Sequence, residues 1–214
     1  MHPNTKTTPQ AKQKVTILND THMKRDIILA GVGGQGILSI ATVIGDAALN
    51  EGLYLKQAEV HGMSQRGGDV QSNLRLSSEP IYSDLIPKSG ADIIISLEPM
   101  EALRYLPYLK EDGWIVTSSK PFVNIPNYPE IEEVIKHIEA IEHHVLLDVE
   151  ALAKEAGAPL QAANMVLLGA AIPMLGIEHD TIVEGVKRIF ARKGEAVVAA
   201  NIAAIEAGYQ ASKH

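Results

Sequence analysis

Cysteine is absent from all 214 residues of this chain. Without a thiol the chain forms no disulfide, has no thiol nucleophile and supplies no thiolate ligand to an iron–sulfur cluster. The absence fits the cytoplasm, where thiols are kept reduced in any case, and the cytoplasm is the location that we expect.

Aromatic residues are scarce, at 4% of the chain, although hydrophobic residues make up 46%. The core must therefore be built from Ala, Val, Ile and Leu. A core of this kind is typical of parallel strands that are covered by helices, and the length suits one such α/β domain.

Basic charge and long apolar runs are also lacking. The formal net charge of −7 argues against a general nucleic-acid binder, which needs a basic face. No apolar run is long enough to span a bilayer, so we expect no membrane association. Residues 1–22 are polar and lack a secretory h-region, which predicts a disordered tail before a single domain at 23–214. Met23, directly before the first strand, is an alternative start.

Hydrophobic periodicity divides the rest of the chain into alternating strands and helices. We predict strands at 27–30, 53–60, 70–76, 91–96, 114–118 and 145–147. We predict helices at 37–50, from Pro99 to about Lys110, and at 130–139, 150–156, 160–175, 180–190 and 195–210, with Asp180 as an N-cap. This order predicts a doubly wound, mostly parallel, Rossmann-like sheet with helices on both faces and a hairpin-like insertion. The C-terminal helices would form a subdomain or a dimerisation surface.

A glycine-rich turn follows the first predicted strand. Gly31, Gly33 and Gly36 match the G-x-G-x-x-G pattern, with Gly34 and Gln35 between them. Such glycines permit a tight turn and let backbone N–H groups approach an anion at the helix N-terminus. Glu59 follows at about the distance of an acidic residue that binds a ribose. The pattern thus allows dinucleotide binding, another anion or partner contact, or merely a close turn.

A second polar loop leaves the end of the next predicted strand, so we expect it beside the glycine turn. The loop carries hydrogen-bond donors, one cation and a flexible backbone, which favour a phosphate or carboxylate cradle. Its candidate binding residues are Ser64, Gln65, Arg66, Gly67 and Gly68. The alternative is a solvated turn.

Two other kinds of site are not indicated. Ser64 lacks the G-x-S-x-G spacing of a hydrolase nucleophile. The histidines show no ligand spacing, and the adjacent His143 and His144 would point to opposite faces of a strand. We therefore predict neither a catalytic residue nor a metal site.

The two loops together resemble a known family. Residues 31–36 (GVGGQG) and 57–68 (QAEVHGMSQRGG) are similar to the gamma-type domain of 2-oxoacid:ferredoxin oxidoreductases, with the indolepyruvate type as the nearest branch. Residues 96–104 and 193–195 also resemble that family, and the similarity runs from about Met23 to Tyr209. The second loop is the more specific of the two motifs.

The resemblance implies a small subunit that is inactive alone and does not use NAD. It implies a large partner subunit that carries thiamine diphosphate, Mg and 4Fe-4S clusters. The whole enzyme would decarboxylate an aryl pyruvate oxidatively, form an acyl-CoA and reduce ferredoxin. In related enzymes the equivalent domain helps to form the coenzyme A site, which implies such a role for Gly33, Gly34, Gln35, Gly36, Ser64, Gln65 and Arg66. The sequence has no Gly-Asp-Gly segment of the kind that anchors thiamine diphosphate.

Two alternatives belong to other functional classes. One is a stand-alone nucleotide-binding domain or NAD(P)-dependent oxidoreductase, for which the glycine turn would suffice. The other is a scaffold domain that docks a partner without taking part in chemistry.

Overall fold

The computed structural model describes residues 22–61, 68–123 and 125–213. Six strands form one sheet in the order β2-β3-β1-β4-β5-β6. Their bounds are β1 Lys24–Val32, β2 Tyr54–His61, β3 Asp69–Ser77, β4 Ala91–Ser96, β5 Leu109–Ser118 and β6 His144–Leu147. We predicted a disordered tail at residues 1–22, and residues 1–21 of it lie outside the described residues.

The central strands are apolar on both faces. Ile27 and Leu29 pack in one hydrophobic cluster, whereas Ile28 and Ala30 pack in the other. Because successive side chains of a strand point to opposite faces, a continuous apolar run requires helices on both sides of the sheet.

Among the six strands only β3 is antiparallel to the rest of the sheet. It pairs antiparallel with both β1 and β2, while β1, β4, β5 and β6 pair in parallel. The hairpin-like insertion that we predicted is thus β3, and it lies between the first two strands. A buried ion pair joins β3 to β1, since the Arg75 guanidinium donates to both carboxylate oxygens of Asp26 at 2.6 and 3.1 Å.

Seven α-helices cover the sheet in the described part of the chain: α1 Ile37–Asn50, α2 Pro99–Arg104, α3 Ile131–Glu139, α4 Val149–Glu155, α5 Ala163–Leu175, α6 His179–Phe190 and α7 Glu195–Ala211. Helices α2 and α3 pack on one face. The others belong to the cluster on the opposite face, where α5 lies between the sheet and α7. The predicted fold class is therefore confirmed.

Two local predictions were wrong. Helix α2 ends at Arg104 rather than near Lys110, because a short 3-10 turn at Leu106–Tyr108 follows and the chain enters β5 at Leu109. Pro107 in that turn lacks the N–H that a continuing helix would need. Asp180 is not an N-cap, because α6 begins one residue earlier, at His179.

The crossing of α5 with α7 is unusually close. A Cβ on Gly208 would lie 1.8 Å from the carbonyl oxygen of Val166, and a Cβ on Gly169 would lie 2.0 Å from that of Ile205. These distances are shorter than any real contact, so only glycine fits at either position. The C-terminal helix is thus fixed to the buried layer by backbone contact.

No helix in the described ranges combines the length and the apolar character that crossing a bilayer requires.

Candidate functional site

The glycine turn lies where β1 ends and α1 begins, at the edge where the parallel strands have their carboxyl ends. Gly34 has φ 104° and Gly36 has φ 83°, both in the left-handed region that favours glycine. The N–H of Gly33 donates to the carbonyl oxygen of Gly68 at 2.9 Å. The end of the second loop therefore lies beside the turn, as we expected for a loop that leaves the carboxyl end of the next strand.

Gln35 holds the turn together. Its Oε1 accepts from the Val32 N–H at 2.7 Å, and its Nε2 donates to the Leu97 carbonyl at 3.2 Å. A Cβ on Gly31 would lie 2.9 Å from this Oε1. Gly31 thus leaves room for the Gln35 side chain, and these bonds give Gln35 a structural role.

The second loop is described only at its ends. β2 ends at His61, and Gly68 directly precedes β3. The predicted binding residues Ser64, Gln65, Arg66 and Gly67 lie outside the described residues.

A cleft of about 400 Å³ opens beside the glycine turn. We call it the carboxyl-edge cleft. Its walls come from the turn, from the ends of β4 and β5 and from the start of α5, and include Gly34, Gly36, Leu97, Lys120, Phe122 and Asn164. It lies where the chain passes from one face of the sheet to the other, the place where open α/β sheets bind ligands.

Lys120 is the cation among the described residues that line this cleft, which Glu150 also lines, and sequence reasoning missed it. Its Nζ lies 3.3 Å from Oδ2 of Asp148, and its side chain is about half exposed. Asp148 also caps α4 by accepting from the Ala151 N–H at 3.0 Å. That N–H and then Lys120 lower the pKa of Asp148. The signal that could have found Lys120 is its position two residues after the end of β5.

Asn164 was also missed. Its Nδ2 donates to the Gly36 carbonyl at 3.1 Å, while its buried Oδ1 has no partner among the described residues. A Cβ on Gly36 would lie 2.7 Å from this Nδ2. Asn164 therefore links α5 to the glycine turn at the cleft wall.

Glu98 follows β4 at the same edge and is only 1% exposed. Its Oε2 accepts from the Glu101 N–H at 2.8 Å, which caps α2. Glu101 in turn pairs with Arg104 at 2.8 Å. Nearby, burial raises the pKa of Tyr105 to about 12, with Asp69 and Glu101 adding to the effect.

The position of Glu59 does not suit a ribose at the glycine turn. β3 lies between β1 and β2, so Glu59 is separated from β1 by two strand spacings, roughly 10 Å. Its carboxylate accepts from Gln57 Nε2 at 2.7 Å. The acidic residue of a dinucleotide site would need to lie on a strand adjacent to β1.

Among the residues that the structure describes, no group of three or more His, Asp or Glu side chains could hold a metal ion.

Known proteins give a consistent set of similarities. A model of the family described as pyruvate ferredoxin/flavodoxin oxidoreductase matches residues 26–211. Indolepyruvate oxidoreductase subunit IorB of Thermococcus kodakarensis is 37% identical over 88% of this chain and 96% of its own length. The protein of the same name from Pyrococcus horikoshii is 41% identical over 68% of this chain and 75% of its own length.

Among solved structures, a 2-oxoglutarate:ferredoxin oxidoreductase from Magnetococcus marinus is similar, with a TM-score of 0.70 and 25% identity. That structure contains 2-oxoglutarate, coenzyme A and succinyl-CoA. The match covers 89% of this chain but 31% of the solved one, so this chain spans about a third of that protein. The resemblance drawn from the two loops is confirmed.

Proposed function

This chain belongs to the pyruvate ferredoxin/flavodoxin oxidoreductase family, and on that premise we propose that it is the small subunit of an indolepyruvate-type 2-oxoacid:ferredoxin oxidoreductase. The observation that carries the proposal is the match to relatives of that name over nearly their whole length, 96% in one case. The reaction is the oxidative decarboxylation of an aryl pyruvate to an acyl-CoA, with reduction of ferredoxin.

Catalysis requires a large partner subunit in this proposal. The present chain has no cysteine to ligate 4Fe-4S clusters and no Gly-Asp-Gly segment for thiamine diphosphate and its Mg. Those cofactors supply the carbanion and electron-transfer chemistry, and they belong to the partner. Ferredoxin then meets the complex rather than this chain alone.

The carboxyl-edge cleft is our candidate for a share of the coenzyme A site. Backbone N–H groups at the start of α1, together with Lys120, suit the phosphates of such a ligand. Gly31, Gly33, Gly34, Gln35 and Gly36 shape the turn. The proposed second-loop residues are Ser64, Gln65, Arg66, Gly67 and Gly68. In this role the chain binds and orients coenzyme A, whose thiol accepts the acyl group.

The direct test mixes this chain with its large subunit and follows reduction of a viologen dye that depends on indolepyruvate and coenzyme A. We expect activity well above that of the large subunit alone. A rate of dye reduction that this chain does not increase would contradict the proposal. Pyruvate and 2-oxoglutarate in place of indolepyruvate test the choice of oxoacid.

Two charge variants test the site within the same assay. Lys120→Ala and Arg66→Ala should each raise the KM for coenzyme A, because a phosphate loses a cation in each. Lys88→Ala is the matched control, since Lys88 lies in the exposed loop that joins β3 to β4. If the KM for coenzyme A of all three variants equals the wild-type value, the cleft is not part of the coenzyme A site.

The free-standing NAD(P) enzyme does not fit the family comparison or the position of Glu59. The remaining features stay proposals: a single domain at 23–214, homodimerisation and a cytoplasmic location. Limited proteolysis, light scattering and cell fractionation test them in turn.

A further inference from the structure

The segment between β5 and α3, residues 119–130, forms the outer wall of the carboxyl-edge cleft. We call it the strap, and the structure describes it at 119–123 and 125–130. Lys120, Pro121 and Phe122 from the strap line the cleft. Phe122 is 44% exposed, and Val123 beside it is 67% exposed. The strap therefore presents a cation and apolar side chains at the mouth of the cleft.

One buried carboxylate bonds to both arms of the strap. Oε1 of Glu98 accepts from the Phe122 N–H at 3.3 Å and from the phenol of Tyr128. Its other oxygen, Oε2, accepts from the Glu101 N–H and caps α2. Glu98 thus uses one oxygen for the helix and the other for the strap.

Charge makes these bonds strong. No Lys, Arg or His in the described ranges pairs with Glu98, so three donors stabilise its buried charge. Hydrogen bonds to a charged acceptor are worth more than neutral ones, and more again where water is excluded. Burial and the bond to Glu98 raise the pKa of Tyr128, so its phenol stays a donor at physiological pH.

We propose that Glu98 and Tyr128 are positioning residues that hold the strap against the end of β4, so that Lys120 and Phe122 are already in place when coenzyme A enters the cleft. The identity of the ligand rests on the proposed function, whereas the attachment of the strap does not. Because the strap is fixed before binding, the ligand avoids the entropy cost of ordering it.

Spin labelling tests the attachment without any assay of activity. Since the full chain has no cysteine, Phe122→Cys introduces a single thiol on the strap that carries a nitroxide label. Tyr128→Phe in this background should sharpen the spectrum, because it removes the bonds of the phenol to Glu98 and to the Met100 backbone, while Glu98 still accepts from the Glu101 N–H. Glu98→Gln should do the same, since an amide has only one acceptor oxygen to divide between helix and strap.

Matched controls come from the same region. Tyr105→Phe removes a phenol that has no bond to Glu98, and Glu101→Gln alters a buried carboxylate of α2 that pairs with Arg104 instead. Both should leave the label as immobile as in the parent. Spectra that stay unchanged with Tyr128→Phe and Glu98→Gln would overturn the attachment.

Kinetics of the reconstituted enzyme test the consequence. With native Phe122, Tyr128→Phe should raise the KM for coenzyme A about tenfold, the size of effect that one hydrogen bond to a charged group gives, and leave kcat near the wild-type value. A merely structural role would lower the amount of active enzyme and leave KM unchanged. A mobile label with an unchanged KM would overturn the positioning role. Failure of the wild-type chain to activate the large subunit would instead sink the proposed function, while the spectra would still decide whether the strap is held.

Discussion

Glycine is required in two regions of this molecule, the turn between β1 and α1 and the crossing of α5 with α7, for different reasons. At Gly208 a Cβ would lie 1.8 Å from a backbone oxygen, although the backbone there is an ordinary helix. At Gly34 a Cβ would meet nothing within 4 Å, but φ is 104°. The crossing needs glycine for space, and the turn needs it for conformation. Steric clash should therefore dominate in one region and backbone strain in the other.

The largest expected effect is that of Gly208→Ala. Alanine in place of glycine ordinarily stabilises a helix by about 1 kcal/mol, but here the Cβ would collide with the backbone of α5. We expect a net loss of about 3 kcal/mol in the free energy of unfolding, measured with urea. Ala199→Gly on the exposed face of α7 is the control and should cost only about 1 kcal/mol. A stabilised Gly208→Ala protein would show that α7 can move away from α5.

Gly36→Ala should come next, because it combines both effects. The backbone has φ 83°, and the Cβ would lie 2.7 Å from Asn164 Nδ2. The strain alone costs roughly 1–2 kcal/mol, and displacing Asn164 breaks its bond to the turn. Gly34→Ala is the matched variant with strain but no clash, and it should cost only the roughly 1–2 kcal/mol of that strain. Equal losses of stability in the two variants would mean that the Asn164 side chain moves away from the new Cβ without loss of stability.

Gln35→Glu should have a smaller effect. The carboxylate keeps the acceptor for the Val32 N–H but loses the donor to the Leu97 carbonyl. We expect a loss of about 1–2 kcal/mol by urea unfolding. Gln57→Glu on the exposed edge strand β2 also loses a donated bond and places a second carboxylate beside Glu59, but it should cost less because water screens exposed charges. If Gln35→Glu leaves the free energy of unfolding unchanged, the Gln35 side chain does not support the turn.

The smallest effect concerns Asp148 and pH. Its pKa is lowered in the folded state, chiefly by the Ala151 N–H, so its stabilisation is present above its ordinary pKa and is lost as the pH falls through the folded value. Asp148→Asn, which keeps a capping oxygen, should lose less stability between about pH 5 and pH 3 than wild type, by a few tenths of a kcal/mol. Parallel pH profiles would contradict this.

Local patterns were enough to predict most elements of the fold. The apolar run at Ile27–Ala30 predicted β1 and the turn, because a short apolar run that ends in glycines is typical of a strand buried on both faces. The end of α2 was missed because the pairing of Leu109 with Ala91 is a contact between distant residues. The place of β3 between β1 and β2 was missed for the same reason, and it is what separates Glu59 from the turn.

The candidate site was predictable where it depends on backbone conformation and not where it depends on packing. Gly34 and Gly36 carry their own signal in the sequence. Asn164 carries no such signal and Lys120 has only its position after β5, because each is an ordinary residue until the sheet brings the end of β5 and the start of α5 to the same edge. The attachment of Glu98 to Tyr128 likewise joins residues 30 positions apart.

The close crossing of α5 with α7 has a consequence for synthesis on the ribosome. Helix α5 is apolar on nearly every side and is covered by contacts with residues 201–208. A nascent chain that has not yet reached Gly208 therefore exposes α5, and we expect it to bind chaperones that recognise apolar segments. Folding of the whole layer must therefore wait until α7 has left the ribosome.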